Sequence, residues 1–258
     1  MSRISPSVIA AGLVALAPGL LLVAGSPAAR AQSGAFSGLD ARTSVFSSSA
    51  NALGSTDNSS LASLIIAINP GTNRVLTFSN ITGSIDPANT PHGADGGTYD
   101  GNGVNINSLG SISGVLDTND RTLALMGVFT SANPATGAAP ARIDFSGNHA
   151  FASLTPLLNQ SFFIGDGLTG TGSGATQQFF VPNGAAFLQL GYADAFVSSN
   201  TAFVGDPSAY GDNHGTLSGN YRIAAVSAPE PGALPLLATG LLSLAGVVAV
   251  RRRRGSAA

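Results

Sequence analysis

The sequence predicts an all-β fold, an antiparallel β-sandwich, for residues 32–227. Apolar runs in this region are short, and clusters of Gly, Ser, Thr, Asn and Asp separate them. Some runs alternate apolar and polar residues, as residues 74–78 do, and helix signals are weak throughout. Short strands with frequent turn signals are typical of antiparallel sandwiches. The length of the region suits one domain of the sandwich or barrel type.

The predicted strands follow from the apolar runs and from the turn residues that end them. The run 61–68 is either a buried strand or a short helix. The run 74–78 either continues into the run 80–85 or pairs with it. Long or flexible loops are expected at 87–103 and 133–140 because Gly, Asp, Asn and Pro are frequent there. The predicted segments are 61–68, 74–78, 80–85, 104–112, 123–130, 161–164, 177–181, 186–192 and 217–226.

Residues 1–31 have the pattern of a secretory signal peptide. Arg3 provides the positive start, residues 8–24 are mostly apolar, and Ala29-Arg30-Ala31 forms an A-x-A cleavage site. Such a segment is removed on export by signal peptidase and does not belong to the fold. We therefore expect cleavage before Gln32, with an uncleaved N-terminal anchor as the alternative.

The C-terminal end of the chain predicts a transmembrane helix over residues 233–250. This run carries no charge, and as a helix it would be about 27 Å long, close to the bilayer core of about 30 Å. Arginines directly after it stay cytoplasmic and leave the upstream chain outside. The alternative is a buried core helix with a basic end. The arginines are Arg251, Arg252, Arg253 and Arg254.

The tail 228–254 resembles the PEP-CTERM sorting signal of bacteria that secrete exopolysaccharide. The resemblance lies in Pro229, Glu230 and Pro231, in the apolar span after them and in the closing arginine cluster. In that family an exosortase, a membrane transpeptidase, cuts near the Pro-Glu-Pro segment. The resemblance implies a temporary membrane anchor, followed by transfer to the cell surface or the extracellular matrix.

Composition restricts the partners of the exported region. The chain has no Cys, which excludes disulfides and thiolate metal sites. Between residues 32 and 227, twelve aspartates and five arginines give a net charge of −7. Nucleic-acid binding is disfavoured because there is no basic patch to displace phosphate counterions. An acidic domain is compatible with calcium, whose ligands are oxygens, and equally with simple solubility.

Residues 177–223 are similar to the C-terminal half of calcium-dependent galactose-binding lectins of the PA-IL type. In both, a strand ends in an aspartate, and a later loop carries two consecutive acid or amide side chains before the final strand. The resemblance implies a jelly-roll or lectin-like sandwich that binds Ca²⁺. The implied ligands are Asp194, the carbonyl of Ala209, Asp212 and Asn213.

These residues offer carboxylate, amide and carbonyl oxygens, and Ca²⁺ takes six to eight oxygen ligands. Asp194 and the pair at 212–213 should converge only if their strands are neighbours, as in a hairpin or a Greek-key return. The alternative is a surface hairpin in which Asp, Asn and Gly serve turn geometry alone. If the ion binds, it is either purely structural or also holds the hydroxyls of a sugar. Of the three histidines, His214 lies nearest to the predicted ion.

Two classes of function remain. The first is a non-catalytic surface or matrix module, with or without a carbohydrate ligand. The second is a secreted hydrolase of polysaccharide, for which paired carboxylates or a G-x-S-x-G elbow are expected. Glu is absent before residue 230, and there is no such elbow. Residues 165–170 spell G-x-G-x-x-G but lead into another Gly-rich stretch, which predicts a flexible hairpin loop. We therefore expect no enzyme activity.

Overall fold

The structure, a computed structural model, describes residues 31–47, 60–87, 90–98, 103–117, 121–133, 137–195 and 204–226. Residues 1–30 of the predicted signal peptide and the whole tail 228–254 lie outside these ranges. Within them, no helix is long and apolar enough to cross a membrane.

The described residues form an all-β protein, as predicted, with a single turn of 3-10 helix at Tyr210–Asp212. The strands are β1 (Gln32–Asp40), β2 (Leu64–Ala67), β3 (Arg74–Pro87), β4 (Val104–Ile106), β5 (Val115–Asp117), β6 (Leu125–Thr130), β7 (Ser153–Leu154), β8 (Ser161–Phe163), β9 (Leu168–Gly170), β10 (Ser173–Thr176), β11 (Gln178–Val181), β12 (Phe187–Tyr192), β13 (Val204–Gly205) and β14 (Asn213–Ala225).

These strands form several sheets. A five-stranded sheet has the order β1-β14-β3-β11-β7, and a four-stranded sheet has the order β2-β12-β6-β8. A smaller sheet has the order β13-β4-β5, and β9 and β10 form a hairpin. The pairings are antiparallel except those of β7 with β11 and of β4 with β13.

The longest pairing joins β3 and β14. It runs from Arg74 opposite Ala225 to Pro87 opposite Asn213, with one irregularity between Ser218 and Asn220. The predicted segments 74–78 and 80–85 are therefore one continuous strand. β14 also pairs with β1 on its other side, so it is an interior strand of the sheet.

Aromatic side chains connect the five-stranded and four-stranded sheets. The ring of Phe179 on β11 lies 5.2 Å from that of Phe162 on β8, and 6.1 Å from that of Phe78 on β3. All three side chains are fully buried. Large rings bury much apolar area and gain further from such tilted contacts, so this cluster holds the two sheets together.

The centre of the four-stranded sheet is buried on both faces, since nearly every residue of β6 and β12 is buried. Segment 41–47 contributes to this cover. Tyr192 donates its backbone N–H to Thr43 O (2.8 Å), and Val45 donates to Tyr192 O (3.0 Å). A Cβ at Gly191 would lie 2.6 Å from Val45 N. Only glycine therefore allows the segment to approach β12 this closely.

Several predicted boundaries differ from the structure. Only Val104–Ile106 of the segment 104–112 is a strand. Of the segment 61–68, only Leu64–Ala67 is a strand, and it is partly exposed rather than buried. Residues 165–170 lead into the β9–β10 hairpin, which agrees with the predicted hairpin at this Gly-rich stretch. β1, β5, β7, β9, β10 and β13 were not predicted as strands. β1 is an edge strand rich in Gly and Ser, and it has only two buried residues, so its sequence carries little alternation.

Replacing Phe179 by alanine should destabilise the protein by about 3–5 kcal/mol, because the ring is fully buried between the sheets. Urea denaturation measures this change in the free energy of unfolding. The control is Leu157→Ala, at a side chain that is 57% exposed, which should change it by less than about 0.5 kcal/mol. Equal effects of the two substitutions would contradict this view of the core.

Candidate functional site

Asp194 lies two residues beyond the end of β12 and is 4% exposed. Its Oδ1 accepts hydrogen bonds from Ala195 N (2.9 Å) and from the Thr122 hydroxyl (3.3 Å). Its Oδ2 accepts one from Asn213 Nδ2 (2.8 Å). The carboxylate predicted to bind calcium is thus buried and held on both oxygens, and it directly contacts a second residue of the predicted set.

The Tyr210 phenol fixes the backbone that carries Asp194. Its hydroxyl donates to Tyr192 O (3.0 Å) and accepts from Asp194 N (3.3 Å). Ser208 N donates to Asp194 O (3.1 Å). These bonds attach the chain at 208–210 to the end of β12, so the later part of the site is held against the earlier part.

Asn213 is the first residue of β14 and is 1% exposed. Its Nδ2 lies 2.8 Å from Asp194 Oδ2 and 3.5 Å from Ala41 O. Its Oδ1 is buried and has no hydrogen-bond partner among the described residues. A buried acceptor left without a partner costs about 1–3 kcal/mol, so Asn213 has an oxygen that an additional ligand could satisfy.

The two remaining predicted ligands lie on the same short stretch. Asp212 is exposed and ends the 3-10 helix, and Ala209 precedes that helix in the left-handed conformation with φ of 69°. The structure therefore brings Asp194 and Asn213 into contact, with Asp212 beside them in the chain. Asp212 is close enough for its charge to raise the pKa of Asp194.

One expectation about this convergence was wrong. The strands on either side were expected to be neighbours, but β12 belongs to the four-stranded sheet and β14 to the five-stranded sheet. The residues 212–213 are also not a loop, since Asp212 is helical and Asn213 begins a strand. Asp194 and Asn213 meet because the Tyr210 hydroxyl links the start of β14 to the end of β12.

Burial, together with the smaller effect of the nearby charge of Asp212, raises the pKa of Asp194 to about 7. The hydrogen bonds from Asn213, Ala195 and Thr122 oppose this shift. The ion pairs within the described ranges involve Asp40, Asp95 and Asp117, and none includes Asp194. An ionised Asp194 is therefore a buried negative charge without a cationic partner, which is unfavourable.

This arrangement fits a calcium ion in two respects. A cation would neutralise the buried carboxylate, and Asn213 Oδ1 would supply a neutral oxygen ligand of the kind that Ca²⁺ accepts. A half-turn of the Asn213 carboxamide exchanges Nδ2 and Oδ1, so either atom can face Asp194. No group of three or more His, Cys, Asp or Glu side chains in the described part of the chain could hold a metal. The predicted set is of a different kind, with two carboxylates, an amide and a carbonyl.

Sequence reasoning missed Tyr210 and Thr122, which support Asp194, because neither has a pattern that indicates this role. It also missed the pairing of His149 with buried Asp117, because 32 residues separate the two in the chain. His149 Nε2 lies 2.7 Å from Asp117 Oδ2. His214 is exposed and lies opposite Asp86 in the ladder of β3 and β14. Residues 196–203, between Asp194 and Ala209 of the predicted set, lie outside the described residues.

The chain was compared with protein-family models, with curated proteins and with solved structures, and no match was found in any of the three.

In metal-free buffer, the free energy of unfolding should fall as the pH rises from about 4 to about 7. Over this range folded Asp194, whose pKa is raised from 3.8 to about 7, holds a proton that the unfolded chain has released. Stability is thus greatest below the unfolded pKa and is lost as the pH rises through the folded one. The loss is at most about 4 kcal/mol.

Asp194→Asn removes this titration while keeping the shape of the side chain. Urea denaturation at each pH gives the free energy of unfolding of both proteins. The wild-type value minus the variant value should show the whole decline. A difference that stays constant between pH 4 and 7 would show that Asp194 is not buried as described.

Proposed function

We propose that this chain is an exported, non-catalytic protein of the cell surface or extracellular matrix, built on a calcium-stabilised β-sandwich that binds carbohydrate. It enters the export pathway through the signal peptide 1–31. An exosortase then processes it at the tail 228–254, after the helix 233–250 has held it in the membrane. The sorting part of this proposal rests on the tail sequence alone.

The observation that carries the calcium proposal is the contact between Asp194 and Asn213. A carboxylate with no cationic partner lies 2.8 Å from an amide whose own oxygen is buried and unsatisfied. Each group is unfavourable alone, and a bound cation relieves both. Proteins keep buried charges where these are paired or coordinate a metal, which favours calcium here over a hairpin that serves only turn geometry.

The aromatic contact between β8 and β11 supports the sandwich architecture. Phe162 and Phe179 belong to different sheets and pack ring against ring at 5.2 Å. Two mainly antiparallel sheets that share one buried aromatic core are the arrangement of jelly-roll and lectin-like sandwiches.

Exposure around the second half of the site supports carbohydrate binding. Gly211, Asp212 and His214 are exposed, whereas Asp194 and Asn213 are buried. An ion held from the inside by the buried pair would thus have a solvent-facing side. Sugar hydroxyls are oxygen ligands, and Ca²⁺ accepts them in place of water.

A secreted hydrolase is less well supported. Three of the described aspartates accept hydrogen bonds from backbone N–H groups of their own turns: Asp40 from Arg42, Asp144 from Ser146 and Asp166 from Leu168. Such carboxylates shape turns, as Asx residues commonly do, and are not poised to flank a glycosidic bond.

Calcium should raise the melting temperature. If the affinity is that of extracellular calcium modules, with Kd of about 0.1–1 mM, then 10 mM Ca²⁺ contributes about 1.4–2.7 kcal/mol. That corresponds to a rise of roughly 3–10 °C for a domain of this size. Differential scanning calorimetry of the protein in calcium and in EDTA measures it.

Asp212→Ala and Asp194→Asn should each reduce this rise, and Asp194→Asn should be at least as stable as wild type in EDTA because it removes a buried charge. Asp144→Asn is the matched control, since Asp144 is exposed and outside the predicted set. It should keep the full rise. A melting temperature that neither chelator nor Asp212→Ala alters would rule out calcium binding at this site.

Processing of the tail should depend on both of its parts. Replacing Pro229, Glu230 and Pro231 by alanine should leave the full-length chain in the membrane, because the segment read by the exosortase is lost. Replacing Arg251–Arg254 by serine should weaken membrane retention, because the charges that resist translocation are removed. Fractionation and immunoblotting of the native host measure both effects. Normal release of the first variant would exclude processing by an exosortase.

A further inference from the structure

A pair of adjoining cavities lies apart from the Asp194 site. Their volumes are about 210 Å³ and about 370 Å³, and both are lined by Asp95, Arg121 and Thr171. The smaller one is also lined by His149 and Phe163. Ligand pockets are commonly about 300–1,000 Å³, so the two together have the volume for a small ligand.

Arg121 is held in a fixed position beside the cavities. Its Nη1 donates to Asp95 O (3.0 Å) and lies 3.6 Å from the Asp95 carboxylate. Its guanidinium lies over the Phe163 ring, 5.8 Å from the ring centre. A guanidinium positioned by a backbone oxygen, a carboxylate and an aromatic face is pre-organised, so it loses little conformational freedom when a ligand binds.

His149 is fixed in a similar way. Its Nε2 lies 2.7 Å from the oxygen of Asp117, and its ring stands edge to face on Phe163 at 4.8 Å. Its backbone oxygen accepts a hydrogen bond from Gln177 Nε2 (2.8 Å). Asp117 and Gln177 are both fully buried, and each has a further buried oxygen without a partner in the described structure. Buried polar groups of this kind are costly to keep, which indicates that they serve to position His149.

The charges of this group disfavour an anionic ligand. Asp95 and Asp117 offset Arg121 and any proton on His149, and Asp166 adds a further carboxylate. Asp166 N donates to Asp95 Oδ1 (2.9 Å), which ties that carboxylate to the chain that leads into β9. The cavities thus combine strong donors with a carboxylate acceptor and have no excess of positive charge.

Neutral sugars match these groups. Adjacent hydroxyls both donate and accept, and planar side chains such as guanidinium and carboxylate bind them in pairs. The Thr171 hydroxyl, at the turn of the β9–β10 hairpin, offers one more polar contact at the edge of both cavities.

We propose that these cavities form a carbohydrate site that holds a neutral sugar ring through Arg121, His149 and Asp95, and that this site needs no calcium. It is separate from the Asp194 site, although the chain connects them: Arg121 lines the cavities, and Thr122 donates to Asp194. The proposal goes beyond the calcium site and does not depend on it.

The test uses the full-length chain in a detergent without a sugar headgroup. An array of neutral and uronate-bearing glycans is probed in excess EDTA, and the strongest glycan is then titrated by calorimetry. We expect a neutral glycan to bind under these conditions. Arg121→Ala should weaken its binding by about tenfold or more, because one charged hydrogen-bond donor is lost.

Thr171→Trp tests the site without disturbing the core. Thr171 is exposed and lines both cavities, so a large side chain there should obstruct the ligand. Thr176→Trp is the matched control, since Thr176 is exposed on the same hairpin but does not line either cavity. We expect binding to be lost in the first variant and kept in the second, with the same melting temperature for both.

Several outcomes would overturn the proposal. They are the absence of any neutral glycan bound in EDTA, binding of uronate-bearing glycans alone, and unchanged binding by Thr171→Trp. Sugar binding that requires calcium and disappears in Asp212→Ala would belong to the Asp194 site instead. A melting temperature that does not respond to calcium would count against that other site only and would leave this test unaffected.

Discussion

The long antiparallel pairing of β3 with β14 is the constraint on which the rest of the structure depends. It joins β3 to β14, the last described strand, over the whole length of β3 from Arg74 to Pro87. β1 pairs with the free side of β14, and β11 with the free side of β3, so the five-stranded sheet forms around this ladder. One end of the ladder fixes Asn213, and the site at Asp194 can form only where that end lies.

Asp194 is a local cost in stability that a bound cation would offset. Its burial raises the pKa to about 7, so the folded protein without metal resists ionisation of this group. The unsatisfied oxygen of Asn213 adds to the cost. A cation would reverse both effects, since it favours the ionised carboxylate and occupies the free acceptor. Tyr210 holds the two strand ends together through backbone groups, and these bonds do not use the Asp194 carboxylate or the Asn213 amide.

The sequence allowed prediction of the strands that carry clear apolar runs, but not of strands that are very short or poor in apolar residues. β6 and β12 are rich in large apolar residues, and the all-β class followed from such runs and from the turns between them. β1 is an edge strand with few apolar residues, and two-residue strands such as β7 are too short to show a period. Contacts across long separations were also inaccessible. Asp194 and Asn213 were predicted to lie together because the order of residues in 177–223 resembles that of calcium-dependent lectins. Thr122 lies 72 residues from Asp194 and gives no local signal.

The direction of β14 places the Asp194 site far from the ends of the described chain. The strand starts at Asn213 and ends at Ala225, and Val226 then bonds to Asn73 O (2.7 Å) as the described chain finishes. β1 starts nearby, with Gln32 opposite Ile223. Both termini of the body thus emerge at one pole, and Asn213 lies at the opposite pole, roughly 40 Å away at about 3.3 Å per residue. If the tail 228–254 anchors the protein in a membrane, as proposed above, the Asp194 site would lie at the pole that faces away from the lipid.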